Sequence, residues 1–137
     1  MIPESVLGSS FKGQRNYSTC IYYLLRSGDF SAFHKINQDE IWHFYSGSPI
    51  KLYIISECGT LSEILIGSDL STGQVPQFIV PKLHWFAARV VDQNSYSLVG
   101  CTVSPGFDFN DFTLASRKNL TKLFPQHRHI IEKFTRM

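Results

Sequence analysis

Cysteine is scarce in this sequence of 137 residues, and its three copies, Cys20, Cys58 and Cys101, show no paired spacing. An odd, unpaired set excludes a closed disulfide framework. The opening MIPESVLGSS has no charged-then-apolar leader, so a reducing, cytoplasmic setting is expected. Long apolar runs are also missing. None approaches the ~20 residues needed to span a bilayer, and no membrane partner is expected. Charge is sparse too, at 18% of residues with a net of +2. No repeat, low-complexity tract or linker divides the chain, so a single domain over residues 1–137 is expected.

The charge that is present is uneven. Residues 1–70 hold five Lys/Arg against seven Asp/Glu, whereas residues 71–137 hold eight against four. After Ser116 the basic residues Arg117, Lys118, Lys122, Arg128, Lys133 and Arg136 face one acid, Glu132. A basic tail can bind nucleic acid. This one has no arginine-rich run and no interleaved aromatics, so it reads as a solvated helix face with no nucleic-acid partner.

Apolar content, by contrast, is ample. Hydrophobic residues make up 43% of the chain, and 11 Phe, 6 Tyr and 2 Trp supply rings enough to pack a β core or line a pocket. Short apolar runs recur at 20–25, 30–36, 40–45, 51–56, 61–66, 77–80, 84–91 and 96–103. Turn chemistry separates them at Ser27-Gly28-Asp29, Ser46-Gly47-Ser48-Pro49, Cys58-Gly59, Gly67 to Pro76, Pro81 and Asp92-Gln93-Asn94-Ser95. About eight antiparallel strands at this spacing predict a sandwich or barrel. Helical spacing follows over 114–124 (Leu120, Leu123, Phe124) and 126–136 (Ile130, Ile131, Phe134), with Pro125 between. The run 51–56 is apolar on both faces, Leu52 and Ile54 on one and Tyr53 and Ile55 on the other. Such a strand is covered twice, once by the barrel interior and once by a second sheet or a partner subunit, which points to a homodimer.

One segment carries chemistry. GDFSAFHKINQDEIWHFYSG places Gly28, then His34 after five residues, Ile36 after one, Glu40 after three and Gly47 after six. This spacing resembles the first motif of the cupin superfamily, in which a glycine, two histidines one residue apart, a glutamate and a second glycine occur. Residues two apart on a strand point the same way, so both histidine positions face the barrel interior. Here the second of them holds Ile36. The second cupin motif supplies another histidine after a Pro-x-Gly turn; this chain has Pro81, Leu83 in place of the glycine and Phe86 in place of the histidine. With two of four usual ligands replaced, no metal cofactor is expected. A displaced set of His34, Glu40 and His84 is the arrangement that would hold one.

The strings RNYST, IYYLL, FSAFHKI, DEIWHFYSG, VPKLHWFAA, YSLVGCTVSPGFDFNDF and FPQHRHII narrow the resemblance to an uncharacterised cupin family with a PGFDF box, here Pro105 to Phe109 followed by Asp111 and Phe112. The resemblance implies an all-β jelly-roll barrel, the cupin double-stranded β-helix, with C-terminal helices. It also implies a pocket inside the barrel, dimerisation and a fold similar to sugar-nucleotide epimerases. A family N-terminal stretch, a helix followed by an HPEGGYFRET-like segment, is expected to be absent here.

His34 and Glu40 are the candidate catalytic residues. They read as metal ligands, as an acid/base pair, or as a buried hydrogen-bonded couple, and burial predicts that they meet. Trp42, His43, His84, Phe86, Tyr22 and Asp108 are candidate ligand contacts, with Tyr23 and Arg89 weaker. Alternation aims His43 at the opposite face from Glu40, so pocket and interface both remain open for it. Asp108 also suits a turn cap. Phe107, Phe109 and Phe112 are expected to plug one barrel end, and His127 and His129 to lie on the surface. The function expected is binding of a small molecule, such as a sugar or nucleotide-sugar, in the barrel. The alternative is a metal-independent isomerase or epimerase with His34 as base and Tyr22, Tyr45 or His84 as opposing acid. The third reading is a metal-dependent cupin enzyme.

Overall fold

A computed structural model describes residues 1–137. Eight main strands follow the apolar runs: β1 (Thr19–Arg26), β2 (Phe30–Lys35), β3 (Glu40–Gly47), β4 (Ile50–Ile55), β5 (Leu61–Ile66), β6 (Gln77–Val80), β7 (Trp85–Val90) and β8 (Tyr96–Val103). A two-residue β9 (Thr113–Leu114) and two short helices, α1 (Arg117–Leu123) and α2 (Arg128–Lys133), complete the chain. The strands form two antiparallel sheets, β1-β8-β3-β6 and β5-β4-β7-β2-β9. The result is the expected jelly roll.

Alternation fills the space between the sheets. Leu25, Trp42, Val80, Val99 and Cys101 from one sheet meet Ile50, Leu52, Ile54, Phe86 and Ala88 from the other. Each fully buried aliphatic side chain contributes about 1.5–3 kcal/mol relative to exposure, so this layer is the main source of stability. The opposite face of β4 sends Tyr53 and Ile55 into a second cluster with Leu120, Phe124, Ile131 and Phe134. That second cover, expected to be a sheet or a partner subunit, is the chain's own pair of helices. β4 therefore supplies no argument for a dimer.

The helices are shorter than the apolar spacing predicts. Thr113 and Leu114 pair with Lys35 and His34 of β2, so the chain leaves β9 before Ser116 caps α1 by accepting from the Asn119 amide. Pro125 opens a 3₁₀ turn (Pro125–His127) that delays α2 to Arg128. Leu123, expected on the buried stripe, is exposed.

Candidate functional site

β2 and β3, which belong to opposite sheets, carry the first motif and face one another across one end of the barrel. β2 is bulged between Ser31 and His34, where its backbone bonds Phe33 to Ala115 and Phe134 instead of to β7. A bulge re-aims the side chains that follow it. His34 and Ile36 then point the same way, as their spacing predicts, into a cavity of about 290 Å³ that also takes Glu40, Thr19, Cys101 and Phe107. A second lobe of about 440 Å³ adds Tyr23, Phe30, Trp42 and Arg136. The two lobes share Ile21, His34, Glu40, Cys101, Phe109 and Phe112. His34 and Glu40 are thus central to one concavity, of the size that small ligands occupy.

The expected bond between those two residues does not form. His34 Nδ1 lies 2.8 Å from the Ala32 carbonyl oxygen, and its ring sits 4.2 Å from Phe86 and 5.2 Å from Phe112. A proton on Nδ1 satisfies that carbonyl and leaves Nε2 with its lone pair. Glu40 instead accepts from Trp42 Nε1 at 3.0 Å, two residues along the same strand. Each group found a partner on its own strand.

Desolvation sets both protonation states. Burial holds the His34 imidazolium below its ordinary 6.5, opposed by the Ala32 contact, so the ring is neutral at pH 7. Burial pushes the Glu40 carboxyl from 4.5 up to about 7, with the Trp42 hydrogen bond pulling the other way. The Cys101 thiol, desolvated and beside Glu40, is driven far up and stays protonated. The cavity therefore holds a neutral imidazole, a carboxyl poised near neutrality and a closed thiol.

Among the other residues named from sequence, Trp42 lines the second lobe, and buried Phe86, at the position of the histidine in the second cupin motif, packs against His34. Four lie elsewhere. Tyr22 is 81% exposed on the outer sheet face, edge-on to Tyr45, because the inward residues of β1 are its neighbours Ile21 and Tyr23. His43 faces outward onto Thr102 Oγ1 at 3.2 Å. His84 precedes β7 and turns back to the Lys82 carbonyl at 3.1 Å, so strand alternation does not carry it inward. Asp108 caps the 3₁₀ turn Phe109–Asp111 by accepting from the Asn110 amide, as its turn role predicts. Arg89 is also outside the cavity and donates to the Tyr53 hydroxyl.

Consequently the displaced triad of His34, Glu40 and His84 does not assemble, and no three His, Cys, Asp or Glu side chains stand close enough together to hold a metal ion. Ile36 and Phe86 fill the positions of the missing donors. The residues present do not fit the metal centre of the superfamily. None of Tyr22, Tyr45 and His84, the candidate opposing acids, lines the cavity.

Sequence reasoning missed Cys101, Ile21 and Arg136. The first two follow from register, since Ile21 pairs with Cys101 across β1 and β8. β1 is apolar on both faces, which hid its inward side. Phe107, Phe109 and Phe112 do not plug the barrel; they rim the cavity, with Phe109 80% exposed.

Comparison with known proteins agrees with this architecture. Residues 3–115 match the family described as Cupin superfamily (DUF985). A protein from Shewanella oneidensis with a crystal structure is 40% identical at a TM-score of 0.86, over 99% of this chain and 83% of that one. An uncharacterized protein of Saccharomyces cerevisiae is 32% identical over 103 residues, covering 72% of this chain and 51% of its own. The chain thus spans about half the length of that curated relative. A dTDP sugar isomerase from Desulfovibrio desulfuricans G20 shares the fold alone, at 11% identity and a TM-score of 0.61 over 81% of this chain and 70% of that one.

Proposed function

The chain belongs to the DUF985 family of the cupin superfamily, and from that premise we propose that it binds a small ring-bearing molecule, a sugar or the sugar of a nucleotide-sugar, in the barrel cavity. The observation that carries this reading is the convergence of His34 from β2 and Glu40 from β3 on one apolar concavity rimmed by Phe107, Phe109 and Phe112. Apolar walls with a few polar groups are how small-molecule sites combine affinity with orientation. A sugar ring presents C–H faces to aromatic rims and hydroxyls to such groups. The likeness to a sugar isomerase is one of fold and adds no reaction.

A thermal-shift screen with sugars and nucleotide-sugars tests the reading. A ligand present at 100 times its Kd stabilises by about 2.7 kcal/mol. The paired variant His34→Ala/Glu40→Gln is expected to lose that response while still folding. A panel that shifts the variant as much as the wild type would place the ligand elsewhere.

One observation favours a second reading, a metal-independent isomerase or epimerase. A carboxyl raised to about 7 is matched to proton transfer at neutral pH. Glu40, more than His34, is then the group that removes a proton from the carbon beside a carbonyl, leaving its electron pair in the enolate. Reprotonation on the other face needs a second donor, and Tyr23 is the phenol available in the cavity. In D₂O such an enzyme exchanges that carbon-bound hydrogen for deuterium, and Glu40→Gln is expected to abolish the exchange. Binding without exchange leaves the first reading alone.

A further inference from the structure

The basic tail reads from sequence as a solvated surface, yet three of its cations share one cleft. Arg117, Lys118 and Arg136, with Ser116 and Met137, line an open concavity of about 450 Å³ that carries no acidic side chain. Arg136 also lines the second lobe of the barrel cavity and is the one residue common to the two concavities.

The three cations differ in freedom. Arg117 is fixed: its Nε donates to Thr135 Oγ1 at 2.8 Å and its Nη2 to the Glu132 and Thr135 carbonyls. Glu132, the nearby acid, is engaged by Arg128 at 2.7 Å. Arg136 lies over the Phe30 ring at 4.5 Å and donates to the Phe30 carbonyl, with no carboxylate partner. Lys118 is exposed and forms no ion pair. One preorganised guanidinium and two unpaired cations around a concave surface form an arrangement that recognises phosphate oxygens.

We propose that Arg117, Lys118 and Arg136 form a phosphate-binding annex to the barrel cavity, so that the physiological ligand is a phosphorylated small molecule whose ring enters the barrel and whose phosphates rest in this cleft. The assignment of the ring rests on the function proposed above; the phosphate cleft stands on its own residues. The barrel itself offers no cation except Arg136, so a phosphate driven inside would lose hydration with little return. In the cleft it stays partly solvated and paired.

Inorganic pyrophosphate is the probe, because it has no ring and its binding is independent of the cavity. Calorimetric titration at low ionic strength is expected to show saturable one-to-one binding. Lys118→Ala/Arg136→Ala should weaken it about tenfold, the scale of losing one or two charge contacts. Lys12→Ala/Lys122→Ala, which removes the same charge outside the cleft, should change it less than about twofold. Arg136→Lys, which keeps the charge, should retain most of the affinity and guards against a folding artefact.

Three results overturn the proposal: no saturable binding, equal weakening by both double variants, or an oligonucleotide that outcompetes pyrophosphate through Lys118 and Arg136. The first two exclude a built phosphate site, and the third assigns the surface to a polymer. If pyrophosphate binds as expected while no sugar stabilises the protein, the annex survives and the cavity reading fails.

Discussion

Glu40 and Trp42 stand two residues apart on β3, point the same way, and are joined by an indole Nε1 to carboxylate hydrogen bond of 3.0 Å. The bond aims the carboxyl but does not rescue its charge, since burial still raises it to about 7. The sign of the consequence is fixed. Between pH 4.5 and 7 the unfolded chain has released this proton and the folded chain has kept it, so stability falls as pH rises through that window and levels off above it. The full effect is on the order of 3 kcal/mol. Glu40→Gln keeps an acceptor for Trp42 and removes the ionisation. Urea midpoints at pH 4.5 and pH 8 are expected to match at the lower pH and to favour the variant at the higher one. Because His34 titrates in the same range with the opposite sign, the difference between wild type and variant is the readout, and a difference that is the same at both pH values would show that the carboxyl ionises freely.

His34 acts in the opposite direction. Its folded form resists protonation, so its contribution is present above the ordinary 6.5 and is lost as pH falls below it, where the unfolded chain takes up a proton first. Imidazole NMR should give a titration midpoint below 6.5, with the ring neutral at pH 7. His34→Phe, which keeps a ring beside Phe86 and Phe112, should flatten the acid-side loss. A midpoint above 6.5 would mean that an anion stands beside the ring.

The two glycines that bracket the cupin motif are under different constraints. Both have positive φ, +89° at Gly28 and +93° at Gly47. A Cβ on Gly28 meets nothing within 4 Å, whereas one on Gly47 overlaps the Tyr96 carbonyl oxygen. Gly28→Ala is expected to cost about 1–2 kcal/mol for the backbone alone. Gly47→Ala adds a clash with main chain that cannot swing away, and its urea midpoint should fall well below that of Gly28→Ala. Equal losses would show that the strand end at Gly47 relaxes freely.

The strands were legible because alternation and turn residues are local: β5, β6 and β8 begin and end where the apolar runs do. The motif glycine replaced by Leu83 is instructive. Its backbone keeps a left-handed φ of +64°, so the turn persists although its usual residue does not. Site residues were legible where a strand fixes direction, as for His34 on β2 and Glu40 on β3. They failed where direction depends on something nonlocal. His84 lies one residue before β7, and Tyr22 belongs to a strand apolar on both faces. Arg117, Lys118 and Arg136 come together only through the packing of α1 against the chain after α2, which no local pattern reports.

The PGFDF box holds its phenylalanines in place through a buried polar lock. Asp111 accepts from Arg15 Nη2 at 2.7 Å and from Gln38 Nε2 at 2.8 Å, and all three side chains are buried. Gln38 also reaches the Pro105 carbonyl, tying the β2–β3 turn to both ends of the box. The next residue, Phe112, stacks on His34, so the lock determines the cavity rim. Asp111→Ala leaves the Arg15 charge buried without a partner, which costs about 3–5 kcal/mol. Replacing both charges by apolar groups, Arg15→Met/Asp111→Leu, removes that uncompensated charge and is expected to be less damaging than Asp111→Ala alone. Urea denaturation orders the three proteins. Hydrogen exchange over residues 105–112 should rise in Asp111→Ala and much less in the double variant. If the double variant were the least stable, the lock would be holding the fold by shape rather than by neutralising Arg15.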